Sequence, residues 1–135
     1  MTLNPIVTKL ELKPGMQALF LSAPDGYVDR LTPLPEGVEI ATKPTGTYEF
    51  IQLFATRMAQ IEKSVPGLLQ RAAPGAVFWI TYPKKTSGIV SDLSRDILAA
   101  AMTAKGWRPV SIFSLDDVWS ALRFRPIADV KIKKK

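Results

Sequence analysis

Between Pro83 and Arg95 the chain gathers the side chains best suited to hold an anion: Lys84, Lys85, Thr86, Ser87 and Arg95. Ammonium and guanidinium groups are pure donors, and hydroxyls can donate, so together they match an acceptor-only phosphate or carboxylate. Arg95 has a competing reading as the ion-pair partner of Asp92 or Asp96. Asp25, within Ala23-Pro24-Asp25-Gly26, can accept from an amine or hydroxyl of a ligand, or simply be the turn residue of Pro-Asp-Gly. Asp116 and Asp117 are adjacent carboxylates, a pairing that elsewhere performs acid–base work or binds a divalent cation. No third ligand is near them, and neighbours in a turn cap it, so no metal site is assigned. The chain contains neither cysteine nor histidine. Thiol chemistry, a Ser-His-Asp triad and zinc held by those ligands are therefore excluded, and no residue set encodes a recognisable catalytic reaction.

The elements that must position these groups follow from periodicity. Ala76–Tyr82 is a continuous apolar run, as expected of a strand buried on both faces in a parallel sheet. Ligands of such sheets bind beyond the carboxyl ends of the strands, where Lys84 to Ser87 stand. Upstream, Asn4–Leu12 has helical spacing, with Asn4 as N-cap and Pro5 at the first position. Met16–Ser22 is a first strand, Tyr27–Leu34 a short helix, Val38–Thr42 a second strand and Tyr48–Ala55 a third. Thr56 is read as the cap of the next helix, with Met58, Ile61 and Val65 inward. Pro66, with Ser64 as a fresh cap, splits that segment into two short helices, and Pro74-Gly75 turns into the fourth strand. A further helix is placed from Ser91, with Asp92 against its dipole, Arg95 one turn in, and Leu93, Ile97, Leu98, Ala101 and Met102 as its buried stripe.

Trp107–Ser114 and Val118–Arg125 are separated by Leu115, Asp116 and Asp117, a gap that permits only an antiparallel hairpin. Pro109 puts the first arm on the sheet edge. The second arm then starts at the ligand-bearing edge, which makes Trp119 and Ser120 the hairpin residues nearest a pocket. Arg123, in mid-strand, is read as a partly buried structural ion. These elements predict a three-layer α/β sandwich with a mixed, mostly parallel six-stranded sheet in the order 2-1-3-4-6-5, its switch point between Leu21 and Phe54. Residues 1–128 are read as one α/β domain and 129–135 as a Lys-rich disordered tail. Net charge is +6, and Lys131, Lys133, Lys134 and Lys135 supply four of those charges. The body is thus nearly neutral, and nucleic-acid contact is expected only as nonspecific contact by the tail. The first residues lack a signal-peptide pattern and no apolar run approaches a membrane span, so the expectation is a cytoplasmic protein with no membrane partner.

Three segments carry a resemblance. Tyr48–Leu53, Ala73-Pro74-Gly75-Ala76-Val77 and the closing hairpin are similar to class I methyltransferases, in a shortened form that lacks one helix–strand unit after Thr42. Pro83–Gly88 (PKKTSG), Asp92–Asp96 (DLSRD) and Trp119–Arg125 (WSALRFR) resemble a small bacterial family of unknown function with this Rossmann-like architecture. Methyltransferases approach S-adenosylmethionine with a Gly-x-Gly loop and hold its ribose with a carboxylate at the end of the second strand. The matching positions here are Ser22–Gly26, where Pro24 removes a backbone donor, and Thr42-Lys43, where the lysine cannot accept from a hydroxyl. The resemblance therefore implies a methyltransferase-like binding or interaction module without catalysis and without a cofactor. Its expected ligand is an anionic small molecule or a protein partner, with Lys84, Lys85, Thr86, Ser87, Arg95, Asp25, Trp119 and Ser120 as the binding residues. The alternative is a small transferase with an altered S-adenosylmethionine loop, and a snug cavity at Ser22–Gly26 would favour it.

Overall fold

A computed structural model describes residues 4–129. The expected Lys-rich tail lies almost wholly outside them. Helix α1 (Pro5–Leu10) begins as its sequence dictates: Asn4 Oδ1 accepts from Ile6 N at 2.8 Å, and Pro5 takes the first helical position. Strands β1 (Gln17–Leu21) and β2 (Glu39–Ala41) follow, then β3 (Tyr48–Phe54), α2 (Met58–Gln70), β4 (Ala72–Pro83), α3 (Arg95–Thr103) and the hairpin β5 (Trp107–Ser114) with β6 (Trp119–Pro126). The six strands lie in the order β2-β1-β3-β4-β6-β5. β1 pairs in parallel with β2 and β3, and β3 with β4, whereas β6 runs antiparallel to both β4 and β5. This is the expected topology, with the switch between β1 and β3.

Every residue from Ala76 to Pro83 is buried, as an interior strand covered on both faces requires. Its pleat divides the core. Phe78, Ile80 and Tyr82 join Ile61, Val65 and Leu68 of α2 and Leu98 and Met102 of α3 on one face. On the other, Val77 and Trp79 pack with Val7 and Leu10 of α1, and with Tyr27 and Leu31 around a 3-10 turn at Val28–Leu31. That turn replaces the longer helix expected over Tyr27–Leu34.

Three local expectations are corrected. Segment 58–70 is one helix, not two: Pro66 lies inside it. Proline removes one donor, but burial of Ile61, Val65 and Leu68 on a continuous stripe outweighs that local cost. Pro74-Gly75 is not a turn before β4 but an irregularity inside it: partners pass from Tyr48↔Ala72 to Phe50↔Val77, and Gly75 has φ 75°. Helix α3 is capped by Ser94, whose Oγ accepts from Ile97 N at 3.2 Å, so Arg95 opens the helix and Ile97 faces out. Ser91 instead stabilises the preceding loop, accepting from Leu93 N at 3.0 Å.

Two buried polar side chains cross the centre of the sheet. Tyr27 Oη donates to Gln52 Oε1 at 2.9 Å, and Gln52 Nε2 donates to Thr81 Oγ1 at 2.8 Å. Burial pushes the Tyr27 hydroxyl far above its ordinary range, so it stays a donor. This chain ties the segment after β1 to β3 and β4. Gln52→Leu should leave both Tyr27 and Thr81 without partners and cost about 1–3 kcal/mol. In urea unfolding the midpoint should fall while the slope stays constant.

Candidate functional site

β4 delivers Pro83 and Lys84 to the carboxyl edge of the sheet. Lys84 N donates to Val118 O at 2.7 Å, which fastens the start of the loop to the hairpin. A 3-10 turn, Lys85–Ser87, follows and ends at Gly88, where φ is 85° and a side chain would be strained. The loop then returns to α3. Its far end is pinned by Asp92, which accepts from Met58 N at 2.7 Å and so caps α2 across the gap instead of facing the dipole of α3.

Within this frame a pocket of about 220 Å³ is lined by Tyr82, Pro83, Lys84, Lys85, Leu93, Ser94, Arg95 and Ser120. Four of the expected binding residues (Lys84, Lys85, Arg95 and Ser120) are thus brought together. Ser120 stands directly opposite Tyr82 in the β4–β6 ladder. Lys84 Nζ donates to Ser114 Oγ on β5, Lys85 is exposed, and Arg95 is paired with the exposed Asp96 at 3.2 Å. Among the described residues no acceptor pairs with the backbone N–H groups of Arg95 and Asp96. Tyr82 was not singled out from sequence. Burial raises its pKa, as does Asp96, against an opposing effect of Arg95, so the hydroxyl remains a proton donor beside the cations. The signal that would have found it is the pleat: Tyr82 alternates with Thr81 at the open end of a buried strand.

The other expected residues lie elsewhere. Thr86 and Ser87 are in the 3-10 turn behind the pocket, and Ser87 Oγ accepts from Ile89 N at 3.1 Å. Trp119 is on the opposite face, edge-on to Phe54 with ring centroids 5.2 Å apart. Arg123 is the structural ion expected of it, paired with Glu11. Asp25 lines a separate open concavity of about 290 Å³ beyond β1, with Phe20, Ser22, Tyr27, Asp29 and Thr42 among its walls. Tyr27 N donates to Pro24 O at 3.0 Å, which makes Asp25 a turn residue.

That second concavity is where a methyltransferase-like fold would hold S-adenosylmethionine. Pro24 offers no donor, Ser22 has taken the φ of 63° that a glycine would adopt freely, and the Tyr27 ring occupies the space under the loop. The volume lies at the foot of the ~300–1,000 Å³ range of small-molecule sites. These residues do not fit that cofactor in the manner the resemblance describes.

The comparisons with known proteins agree on the architecture. A methyltransferase described as S-adenosylmethionine-dependent from Aquifex aeolicus superposes with a TM-score of 0.64 at 15% identity, over 88% of this chain and 86% of the other. DhpI in complex with SAH gives 0.63 at 14%, over 90% and 83%. A SAM-dependent methyltransferase from Geobacter sulfurreducens in complex with S-adenosyl-L-homocysteine gives 0.57 at 10%, over 92% of both chains. The chain has a class I methyltransferase-like fold. No protein-family model and no curated protein matches its sequence. Among the described residues no helix is long and apolar enough to cross a membrane, and no group of three metal-ligating side chains is found.

Asp116 closes the hairpin that carries Ser120. Its Oδ1 accepts from Val118 N and Trp119 N, both at 2.8 Å, and its Oδ2 pairs with Arg30 at 2.9 Å. Burial opposes ionisation, but the Arg30 guanidinium and the two N–H groups outweigh it and hold the carboxyl below its ordinary range. A depressed carboxyl pKa stabilises the fold above the unfolded value and loses that effect as pH falls through the folded one. Asp116→Asn should therefore lower Tm by roughly 1–3 °C at pH 7. The gap to wild type should close below about pH 4, and melting curves across that interval check it.

Proposed function

We propose that this protein is a noncatalytic binding module on a methyltransferase-like scaffold, and that it recognises an anionic group at the edge between β4 and α3. The observation that carries the reading is the convergence of Lys84, Lys85, Arg95, Tyr82 and Ser120 on one pocket. Flexible ammonium groups, a guanidinium at the first turn of α3 and two hydroxyls all favour negative charge. The carboxylates nearby are already engaged, Asp92 by Met58 N and Asp96 by Arg95. Among the described residues no hydrogen bond joins Ser94 or Ser120 to Lys84 or Lys85, Lys84 Nζ being turned to Ser114 Oγ, and this supports binding over catalysis. Thr86 and Ser87 shape the turn that presents the lysines, while Asp25 and Trp119 act outside this pocket. The partner is a small anionic molecule or an anionic group on a protein.

A second reading, a small transferase using the loop at Ser22–Gly26, is favoured by one feature, the open concavity there with two carboxylates, Asp25 and Asp29, on its wall. One thermal-shift experiment separates the two. At constant ionic strength, phosphate should raise the Tm of the wild type, since a ligand at a hundredfold excess over its Kd stabilises by about 2.7 kcal/mol. Lys84→Ala/Lys85→Ala should melt near the wild-type temperature and lose the response. S-adenosylmethionine should leave both unchanged. A shift with S-adenosylmethionine that Asp25→Ala abolishes would establish the transferase reading, and equal phosphate responses in wild type and double variant would remove the anion site.

A further inference from the structure

The anion pocket does not end at the lysines. A second cavity, of about 340 Å³, shares Pro83, Lys84, Lys85 and Leu93 with it and continues to Ile89, Val90 and Ser91. Val90 is 71% exposed and Ile89 39%, and Val90 is the most exposed large apolar side chain among the described residues. Single exposed apolar residues are ordinary, but two consecutive ones forming a cavity wall with Leu93 and Pro83 leave an apolar surface that water covers at a cost. The loop does not need them outside for its own conformation. Gly88 makes its turn, Ser87 and Ser91 accept from the amides of Ile89 and Leu93, and Asp92 anchors its end.

We propose that this continuous groove takes an amphiphilic monophosphate, its phosphoryl group at Lys84, Lys85 and Arg95 and a short apolar chain against Ile89 and Val90. The inference rests on the anion site proposed above and names its ligand class. A phosphoryl group suits it better than a carboxylate: a phosphomonoester carries up to two charges and three acceptor oxygens, against three cations and the hydroxyls of Tyr82 and Ser120. Cavities of this size fit a free small molecule.

Isothermal titration of the full chain with inorganic, ethyl, butyl and hexyl phosphate tests the assignment. Affinity should rise about two- to fourfold per added methylene, fourfold corresponding to complete burial. Val90→Ser should flatten that dependence and leave inorganic phosphate binding unchanged, and hexylammonium should not bind. A chain-length-independent affinity, or a dependence that survives Val90→Ser, would overturn the amphiphile while leaving the anion site standing. Failure of every phosphate to bind would overturn both. Tight binding of hexylammonium would show a merely greasy surface and overturn the proposal. Vesicles of phosphatidylcholine doped with phosphatidic acid present the same group on a bilayer, and binding to them without binding of the soluble phosphates would overturn the free-ligand assignment.

Discussion

The pairing of β4 between β3 and β6 is the constraint on which the remaining structure depends. From Phe78 to Thr81 this strand has a parallel neighbour on one side and an antiparallel one on the other, and such an interior strand must be covered on both faces. That requirement brings α2 and α3 to one face and α1 with the Val28–Leu31 turn to the other. It also sets the position of the candidate site, because Lys84 leaves the sheet where β4 ends and β6 begins. The pocket is thus built on two interior strands and one helix, with a loop fastened at both ends.

Polar groups inside this sheet are few, and among the described residues the only buried side-chain nitrogen or oxygen without a partner is Arg123 Nε. Gln52 bridges Tyr27 and Thr81, and Trp79 Nε1 donates to Leu10 O at 2.9 Å, joining β4 to the end of α1. Arg123 reaches Glu11 from the middle of β6, also toward α1. Each of these contacts holds a peripheral segment to the sheet by satisfying a donor that would otherwise be buried without an acceptor. The face bearing α2 and α3 has a buried phenol of its own, Tyr48, whose Oη donates to Lys43 O and accepts from Thr45 N and Gly46 N, all at 3.0 Å. The lysines and arginine of the candidate site stand at the other, carboxyl edge of the sheet.

At the end of β1 the chain has Ser22-Ala23-Pro24-Asp25-Gly26 and not the Gly-x-Gly pattern of the methyltransferase resemblance. There the backbone is closed by Pro24 and underpinned by the buried ring of Tyr27, which makes edge contacts with Phe20 and Phe54. Filling that space stabilises a shortened domain, since an aromatic side chain contributes more buried apolar area than a glycine-rich loop can. The recognisable donors lie instead at β4 and α3, three strands from the sheet edge formed by β2.

Much of this was legible in the chain. The apolar run Ala76–Tyr82, the gap too short for a crossover between Ser114 and Val118, and Pro109 determined the sheet order, because pleat alternation and loop reach act locally. Asn4-Pro5 likewise specified the start of α1. What the sequence alone misplaced were the points where a distant partner outweighs a local preference. Pro66 is carried inside α2 by a stripe buried against β3 and β4, and Asp92 caps a helix that begins 34 residues earlier. Lys84, Lys85, Arg95 and Ser120 were recognisable by residue type. That Tyr82 and Ser120 join the pocket and Trp119 does not was decided by which face of the pleat each side chain leaves, whereas Asp25 is held apart in the turn after β1. A face is fixed only when the strands are in register and the sheet is covered.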